Sequence, residues 1–255
     1  MAGFAMVRNV LSDRRKAAHA LDDLSRRRLN YDVPPSEGFA VGSGWHIDDY
    51  RQPLPSEQPG PPAADGPWAA ARGLLRDYEF IDPSIVRALF RSDGPLEGRN
   101  MLLELRFWGL RFHVGVRVAE VLEGTRTEDG REVAVWGWAY RTLEGHIEAG
   151  QMDYEVRKWL DTGEVEFRIH AFSRAADIAN PVVRLGFRLF GRRQQKRFAS
   201  TACERMRGLV EADLAAREHP PASAGGDEIR ARGPGLRQSL GLVVRPTSAG
   251  GRLGA

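Results

Sequence analysis

Four ionisable residues lie within ten positions of one another, and together they could carry out acid–base chemistry. They are His146, Glu148, Asp153 and Glu155. An imidazole and a carboxylate can exchange protons with a substrate when both face one side of a cavity. We therefore take His146, Glu148 and Glu155 as candidate catalytic residues. The alternative is that residues 145–150 form a solvated turn and that Asp153 and Glu155 point outward from a sheet.

Metal binding and nucleophilic catalysis have weaker support in the sequence. His146 and Glu148 offer two local ligands, whereas a zinc site takes three or four from the protein. Cys203 is the one cysteine of the chain, which excludes an intrachain disulfide and a cysteine-based zinc cluster. It falls in a predicted helix and is interpreted as a small packed residue. Ser173 lacks histidine and aspartate partners at a recognised spacing. We expect no metal and no cofactor.

Aromatic residues are concentrated in the segments that we predict as strands. Such side chains line pockets for flat or lipid-like molecules, and they also fill ordinary cores. Arg174 ends the last predicted strand, where its guanidinium could anchor an anionic head group at the mouth of a cavity or pair locally with a carboxylate of 148–155. The candidate ligand-binding residues are Trp108, Phe112, Trp136, Trp138, Tyr140, Tyr154, Phe167 and Arg174.

Alternation of apolar and polar residues predicts the sheet that would position these side chains. In the run 165–171, for example, apolar residues occupy every second position, as in a strand with one buried and one wet face. The connections between successive runs are short and turn-like, which indicates an antiparallel meander. The predicted strands are 45–50, 101–107, 110–122, 132–142, 150–160 and 164–173.

Helical signals flank the meander. A helix should begin near Pro67, and Asp82-Pro83 predicts a second short helix that carries the apolar residues of 85–90. The proline-rich segment 51–66 should hold neither a helix nor a ladder. A long amphipathic helix over about 180–216 would cover the apolar face of the sheet. The predicted fold class is α+β, a helix-grip in which a curved antiparallel sheet of about six strands wraps on the long C-terminal helix.

The ends of the chain are predicted to lie outside this unit. Residues 1–29 form a helical or disordered lead-in, residues 30–217 form the domain, and the Gly-, Ala- and Arg-rich residues 218–255 form a disordered tail. No apolar run approaches the roughly 18 residues of a membrane-spanning helix, and the N-terminus lacks a secretory signal. With one cysteine in the chain, these features favour a cytoplasmic protein.

The net charge of +3 is modest, but positive charge is concentrated in one stretch. Residues 184–207 hold eight Arg or Lys residues and one Glu, with interleaved phenylalanines. Such a helix can lie on an anionic membrane surface, although the basic face of a packed helix is usually only solvated. Peripheral membrane contact is therefore one alternative. No base-reading motif and no phosphate-binding loop occurs, so we expect no specific nucleic-acid partner.

Two sequence patterns carry a resemblance to a known family. Residues 140–150 read Y-x-T-L-x-G-H-x-E-x-G, and residues 167–174 read F-x-I-x-A-F-S-R. Together with 95–118, they resemble the domain-of-unknown-function family DUF1990 over about 29–215. In relatives the first pattern continues with two glutamates and the second ends in proline. Here Gln151 and Met152 follow the first pattern and Ala175 follows the second, so a role of the missing carboxylates would not transfer.

The layout of the DUF1990 family is similar to that of START and birch-pollen-allergen helix-grip proteins. Members of that superfamily commonly bind lipids or other apolar molecules, and some are cyclases. The resemblance thus implies an uncharacterised protein that binds an apolar or lipid-like small ligand, with or without an acidic head, in a cavity between sheet and C-terminal helix. The alternatives are an enzyme of unknown reaction that uses His146, Glu148 and Glu155, and a membrane-surface or interaction module that uses 184–207. We favour a non-enzymatic role.

Overall fold

Seven antiparallel strands form one curved sheet in the part of the chain that the structure describes. The structure is a computed structural model, and it describes residues 14–32, 44–91, 94–107, 110–176 and 181–218. The strand order across the sheet is β1-β7-β6-β5-β4-β3-β2. The strands are β1 (His46–Leu54), β2 (Val86–Phe90), β3 (Asn100–Phe107), β4 (Leu110–Glu128), β5 (Arg131–Thr142), β6 (Glu148–Trp159) and β7 (Val165–Ala175).

The meander predicted from residue 101 onward is confirmed, because strands β3 to β7 pair with one another in chain order. Asp129 and Gly130 both have positive φ in the turn between β4 and β5, which is the geometry of a tight hairpin loop that matches the twist of its strands. The register between these two strands shifts between Val118 and Glu120. Such a bulge bends a strand.

The predicted short helix over 85–90 is wrong, since these residues form β2 and pair with β3. Asp82 does bind the next turn as a cap would. Its Oδ1 accepts a hydrogen bond from the Ser84 backbone N–H at 2.7 Å, and its carbonyl accepts one from the Val86 backbone N–H at 3.0 Å. The chain then leaves the turn as an extended strand. The described sheet therefore has seven strands, where about six were expected.

The expectation that residues 51–66 take no part in a sheet is wrong for residues 51–54. Strand β1 continues through Pro53, opposite Glu166 of β7, and ends at Leu54. Because β1 lies at the edge of the sheet, a residue without an N–H can be accommodated there. The remaining residues of the segment, 55–66, form no strand or helix.

Helices cover both faces of the sheet. They are α1 (Arg14–Arg26), α2 (Pro67–Arg76) and α3 (Pro181–Glu218). Helices α2 and α3 pack on what we call the inner face, and α3 contacts α2, β1 and β7. Helix α1 packs on the opposite, outer face, where Leu21 and Leu24 meet Leu102 and Leu143. Helix α3 contributes an apolar stripe to the core, consisting of Ala199, Ala202, Cys203, Met206 and Val210.

This arrangement confirms the α+β fold class with a long C-terminal helix over the sheet. The domain limits at 30 and 217 stay predictions, although α1 already packs on the sheet before residue 30. Residues 1–13 and 219–255, which include most of the predicted lead-in and tail, lie outside the described residues. Among the described helices, none combines the length and apolar character needed to cross a membrane. The cytoplasmic location stays a prediction.

Candidate functional site

A cavity of about 350 Å³ lies between the inner face of the sheet and α3. Most of its lining is apolar, because strand alternation turns every second residue of β3, β4, β6 and β7 inward. Residues of β1, β2, β5, α3 and the connecting segments complete the lining. Its apolar side chains include Leu103, Phe112, Ile147, Met152, Ile169 and Phe198.

Next to the cavity the core is filled by aromatic rings. Phe80 lies 4.9 Å from Tyr154 and 5.2 Å from Phe167, measured between ring centroids. Trp138 lies 5.1 Å from Tyr154, and its indole N–H donates to the Leu75 carbonyl at 3.1 Å. These T-shaped and tilted contacts pack the rings closely against one another.

The predicted ligand-binding aromatics therefore divide into two groups. Phe112 and Tyr140 line the cavity. Trp136, Trp138, Tyr154 and Phe167 are buried in the filled core and are not part of the lining. Trp108 lies outside the described residues. Periodicity assigns all of these strand residues to one face, but it does not show where along that face the packing stops.

Tyrosine hydroxyls provide hydrogen-bonding groups where the filled core meets the cavity. The Tyr154 hydroxyl donates to Met152 Sδ at 3.0 Å, and the Tyr140 hydroxyl lies 3.6 Å from the same sulfur. Burial raises the pKa of Tyr140 to about 12. Its hydroxyl therefore stays protonated at neutral pH and is able to donate a hydrogen bond.

Glu148 is the carboxylate that faces the cavity from the start of β6. It lies four positions before Met152, and residues an even number of positions apart face the same side of a strand. Gln195 of α3 donates from Nε2 both to Glu148 Oε1 and, at 3.2 Å, to Ser173 Oγ. Burial raises the pKa of Glu148 to about 7, against the opposing effects of the Gln195 hydrogen bond and the Arg192 charge. A carboxyl group with this pKa changes its charge near neutral pH.

His146 also lines the cavity, and it corrects the expectation that residues 145–150 form a wet turn. Its side chain is buried. The backbone N–H of Glu148 donates to His146 Nδ1 at 2.9 Å, so the neutral ring carries its proton on Nε2. Burial lowers the pKa of His146 to about 4. The imidazole is therefore uncharged at neutral pH.

Asp153 and Glu155 lie on the outer face, away from the cavity. They differ from Met152 and Tyr154 by one position, and alternate residues of a strand face opposite sides. Asp153 contacts His170 at 3.0 Å, and Glu155 forms an ion pair with Arg126 at 2.9 Å. Glu155 is thus not placed to act with the other two candidates. The enzymatic hypothesis narrows to His146 and Glu148.

Arg174 does not reach the cavity, which corrects the expected head-group anchor. Ser173 faces inward toward Gln195, so its neighbour Arg174 faces outward. The Arg174 side chain is exposed, and its guanidinium lies 4.7 Å from the ring centroid of Trp45. The arginine that lines the cavity is Arg106 of β3. Arg192 of α3 is not part of the lining, but it forms a bidentate ion pair with Asp48, which is.

The sequence reasoning missed Asp48, Arg192 and Gln195 as site residues. Arg192 and Asp48 are 144 positions apart, and no local pattern connects them. The one available signal was that Arg192 and Gln195 are three residues apart on a helix predicted to cover the sheet. Residues at that spacing share a helix face.

The basic stretch contains both packed and exposed residues where its side chains are described, from 191 onward. Arg193, Lys196 and Arg197 are exposed, whereas Arg205 donates to the Glu79 carbonyl at 3.0 Å. Membrane contact through this stretch stays a prediction. Cys203 is buried, and burial raises its pKa to about 12, which makes it a poor nucleophile. Three or more metal-ligating side chains do not cluster anywhere in the described residues.

The structure thus defines an α+β protein with an apolar cavity between its sheet and its C-terminal helix. A family model described as "Domain of unknown function (DUF1990)" matches residues 32–204. The chain belongs to this family. No curated protein matches the chain.

Two solved structures are similar to the chain at low sequence identity. One is titled "Crystal structure of Ara h 8.0201", with 10% identity, a TM-score of 0.40, and coverage of 66% of this chain and 99% of that one. The other is a point mutant of norcoclaurine synthase from Thalictrum in complex with a transition-state analogue. It has 9% identity, a TM-score of 0.41, and coverage of 68% of this chain and 98% of that one.

Proposed function

We propose that this protein binds an apolar or lipid-like small molecule in the cavity between the sheet and α3. The observation that carries the proposal is the cavity itself, about 350 Å³ beside a closely packed aromatic core. Protein interiors normally leave few voids larger than a water molecule. A volume of this size, lined mainly by aliphatic and aromatic side chains, matches the usual character of a small-ligand site.

Burial of apolar surface supplies most of the affinity in such a site, at roughly 25 cal/mol for each Å² removed from water. The polar groups at the α3 side of the cavity then fix the orientation of the ligand. Glu148, Gln195 and Ser173 form one connected set there. Because Arg174 lies outside the lining, these three side chains rather than Arg174 orient the ligand.

Filling the cavity tests the proposal directly. Ala171 and Ala199 both line the cavity, and the variants Ala171→Leu and Ala199→Leu place extra methyl groups inside it. We expect each to weaken binding of the neutral fluorescent probe N-phenyl-1-naphthylamine by roughly tenfold or more, since the lost contact area is worth more than about 1.4 kcal/mol. Titration of the purified full chain measures this.

Ala216→Leu is the matched control, because Ala216 is exposed on the same helix. It should bind the probe as the wild type does. Circular dichroism and urea unfolding show which variants are folded, and two cavity variants are used so that one unfolded variant does not decide the result. The proposal is wrong if the wild type binds no neutral apolar probe, or if a folded cavity variant binds it with unchanged affinity.

A further inference from the structure

The charged side chains that line the cavity differ in whether they already have an ion-pair partner. Arg106 pairs with Glu104 at 2.7 Å, and Asp48 pairs with Arg192. Both cations are therefore occupied by protein carboxylates. Glu148 accepts a hydrogen bond from Gln195, but no cation among the side chains that the structure describes, which on α3 begin at residue 191, forms an ion pair with it.

Ionisable groups of four other segments surround Glu148, and they do not neutralise it. Arg192 of α3 lowers its pKa and Asp48 of β1 raises it, and these two residues are bound to each other. Tyr140 of β5 is a neutral phenol, and His146, in the turn before β6, is a neutral imidazole at pH 7. Among the described side chains, an ionised Glu148 thus has no ion-pair partner and adds a negative charge to the cavity.

On this basis, and resting on the proposed function, we propose that the cavity takes apolar molecules that carry a protonated amine, whose N–H donates to Glu148. A cation supplies the charge that the lining lacks, and charge-assisted hydrogen bonds are roughly twice as strong as neutral ones. Phe112 and Tyr140 belong to the same lining, and aromatic rings attract cations to their faces.

A ligand with an acidic head fits this lining poorly. Its carboxylate would approach Glu148 and Asp48, and a like charge at short range disfavours binding. To gain a cationic partner it would have to displace Asp48 from Arg192 or Glu104 from Arg106. The acidic head that the sequence suggested is therefore replaced by a basic one. A neutral alcohol lies between the two, because it can donate to Glu148 without adding charge.

The amine should bind more tightly as Glu148 loses its proton. Burial places the pKa of this carboxyl at about 7, whereas an alkyl ammonium resembles lysine and stays protonated to about pH 10. Between pH 6 and pH 8.5 the amine keeps its charge while Glu148 gains its own. Affinity for the amine should therefore rise over this range, and affinity for an alcohol should not.

The experiment compares three ligands with the same chain and different heads: decylamine, decanol and decanoate. Each displaces N-phenyl-1-naphthylamine from the full-length protein at pH 8.5. We expect decylamine to bind roughly tenfold more tightly than decanol, and decanoate to bind more weakly than decanol. Glu148→Gln should abolish most of the preference for decylamine while leaving decanol within about twofold.

Glu155→Gln is the matched control, since it removes a carboxylate from the same strand but from the outer face. It should keep the full preference for decylamine. The experiment distinguishes failure of the ligand-binding proposal from failure of the amine proposal. If neither the probe nor decanol binds, the cavity is not a ligand site and the proposed function fails. If both bind but decylamine has no preference, or Glu148→Gln retains it, the amine inference alone is overturned.

Discussion

The Lys158 ammonium holds the proline-rich segment 55–66 against the inner side of the sheet. Its side chain is 1% exposed, and Nζ lies 2.7 Å from Glu57 Oε2 and 3.0 Å from the Pro61 carbonyl. The Glu57 carboxylate also accepts from the backbone N–H groups of Ala63 at 2.9 Å and Trp68 at 2.8 Å. One buried carboxylate thus joins β6, the proline-rich segment and the start of α2. From the sequence, the proline-rich residues are predicted only to hold neither a helix nor a ladder.

Lys158→Met should destabilise the protein by about 3 kcal/mol, because removing one member of a buried pair leaves the other charge without compensation. Urea unfolding followed by circular dichroism measures the change. In the double variant Lys158→Met/Glu57→Gln, the buried charge is also gone, so the total loss should be smaller than the sum of the single losses. A loss below about 1 kcal/mol in Lys158→Met would show that the pair contributes little.

At the scale of elements, α1 is held on the outer face by close packing. Leu24 is buried above Gly115, where an added Cβ would lie 2.4 Å from Leu24 Cδ2. Arg117 donates from Nη2 to the carbonyls of Leu24 at 2.8 Å and Arg27 at 3.1 Å. The Leu24 carbonyl lies in the last turn of α1 and also accepts from the Arg27 backbone N–H at 3.2 Å, and Arg27 directly follows the helix. A long side chain at position 115 is excluded, and the arginine two residues further on satisfies the helix terminus.

Leu24→Ala should lower the free energy of unfolding by about 2–3 kcal/mol, since it removes buried methyl groups from the contact between α1 and the sheet. His19→Ala is the control on the same helix, because the His19 side chain is 73% exposed. It should change stability by less than about 0.5 kcal/mol. Equal and small effects of both variants would mean that α1 does not pack as described.

The elements that the sequence predicts best are those in which apolar and polar residues alternate over a long stretch. Strands β4 and β7 alternate over many residues, so their faces could be assigned without coordinates. Residues 86–90 are a short apolar run that follows Asp82-Pro83, and a short run does not distinguish a helix from a strand. Only the pairing of β2 with β3 decides this case. That pairing depends on tertiary contacts rather than on local preference.

The candidate site is predictable only in part, for a reason that belongs to the whole molecule. His146 and Glu148 are close in sequence and both line the cavity. The residues that set their chemistry are not close: Asp48 comes from the edge strand, and Arg192 and Gln195 come from α3. Distant segments meet here because α3 packs across β1 and β7. No local period encodes that approach, and so the sequence predicts Arg174 as an anchor and gives no signal for Asp48.

A buried carboxyl group at the cavity should make the stability of the whole molecule depend on pH. The pKa of Glu148 rises from its ordinary 4.5 to about 7 on folding. Between these values the folded state holds a proton that the unfolded state has released, so stability falls as pH rises through this window and stays low above it. A carboxyl group that destabilises the fold at neutral pH is typical of a functional position.

Glu148→Gln should therefore be more stable than the wild type at pH 8, and the gap should grow by on the order of 2–3 kcal/mol between pH 4.5 and pH 8. His146 has the opposite dependence: its pKa falls from 6.5 to about 4, so its contribution is lost as pH falls through that range. Both proteins contain His146, and its effect cancels in their difference. Urea unfolding of both proteins across this pH range measures the difference in their free energies of unfolding. A constant difference would mean that Glu148 titrates as it does in water. Saturating decylamine should reduce the difference at pH 8, because it stabilises the ionised carboxylate of the wild type.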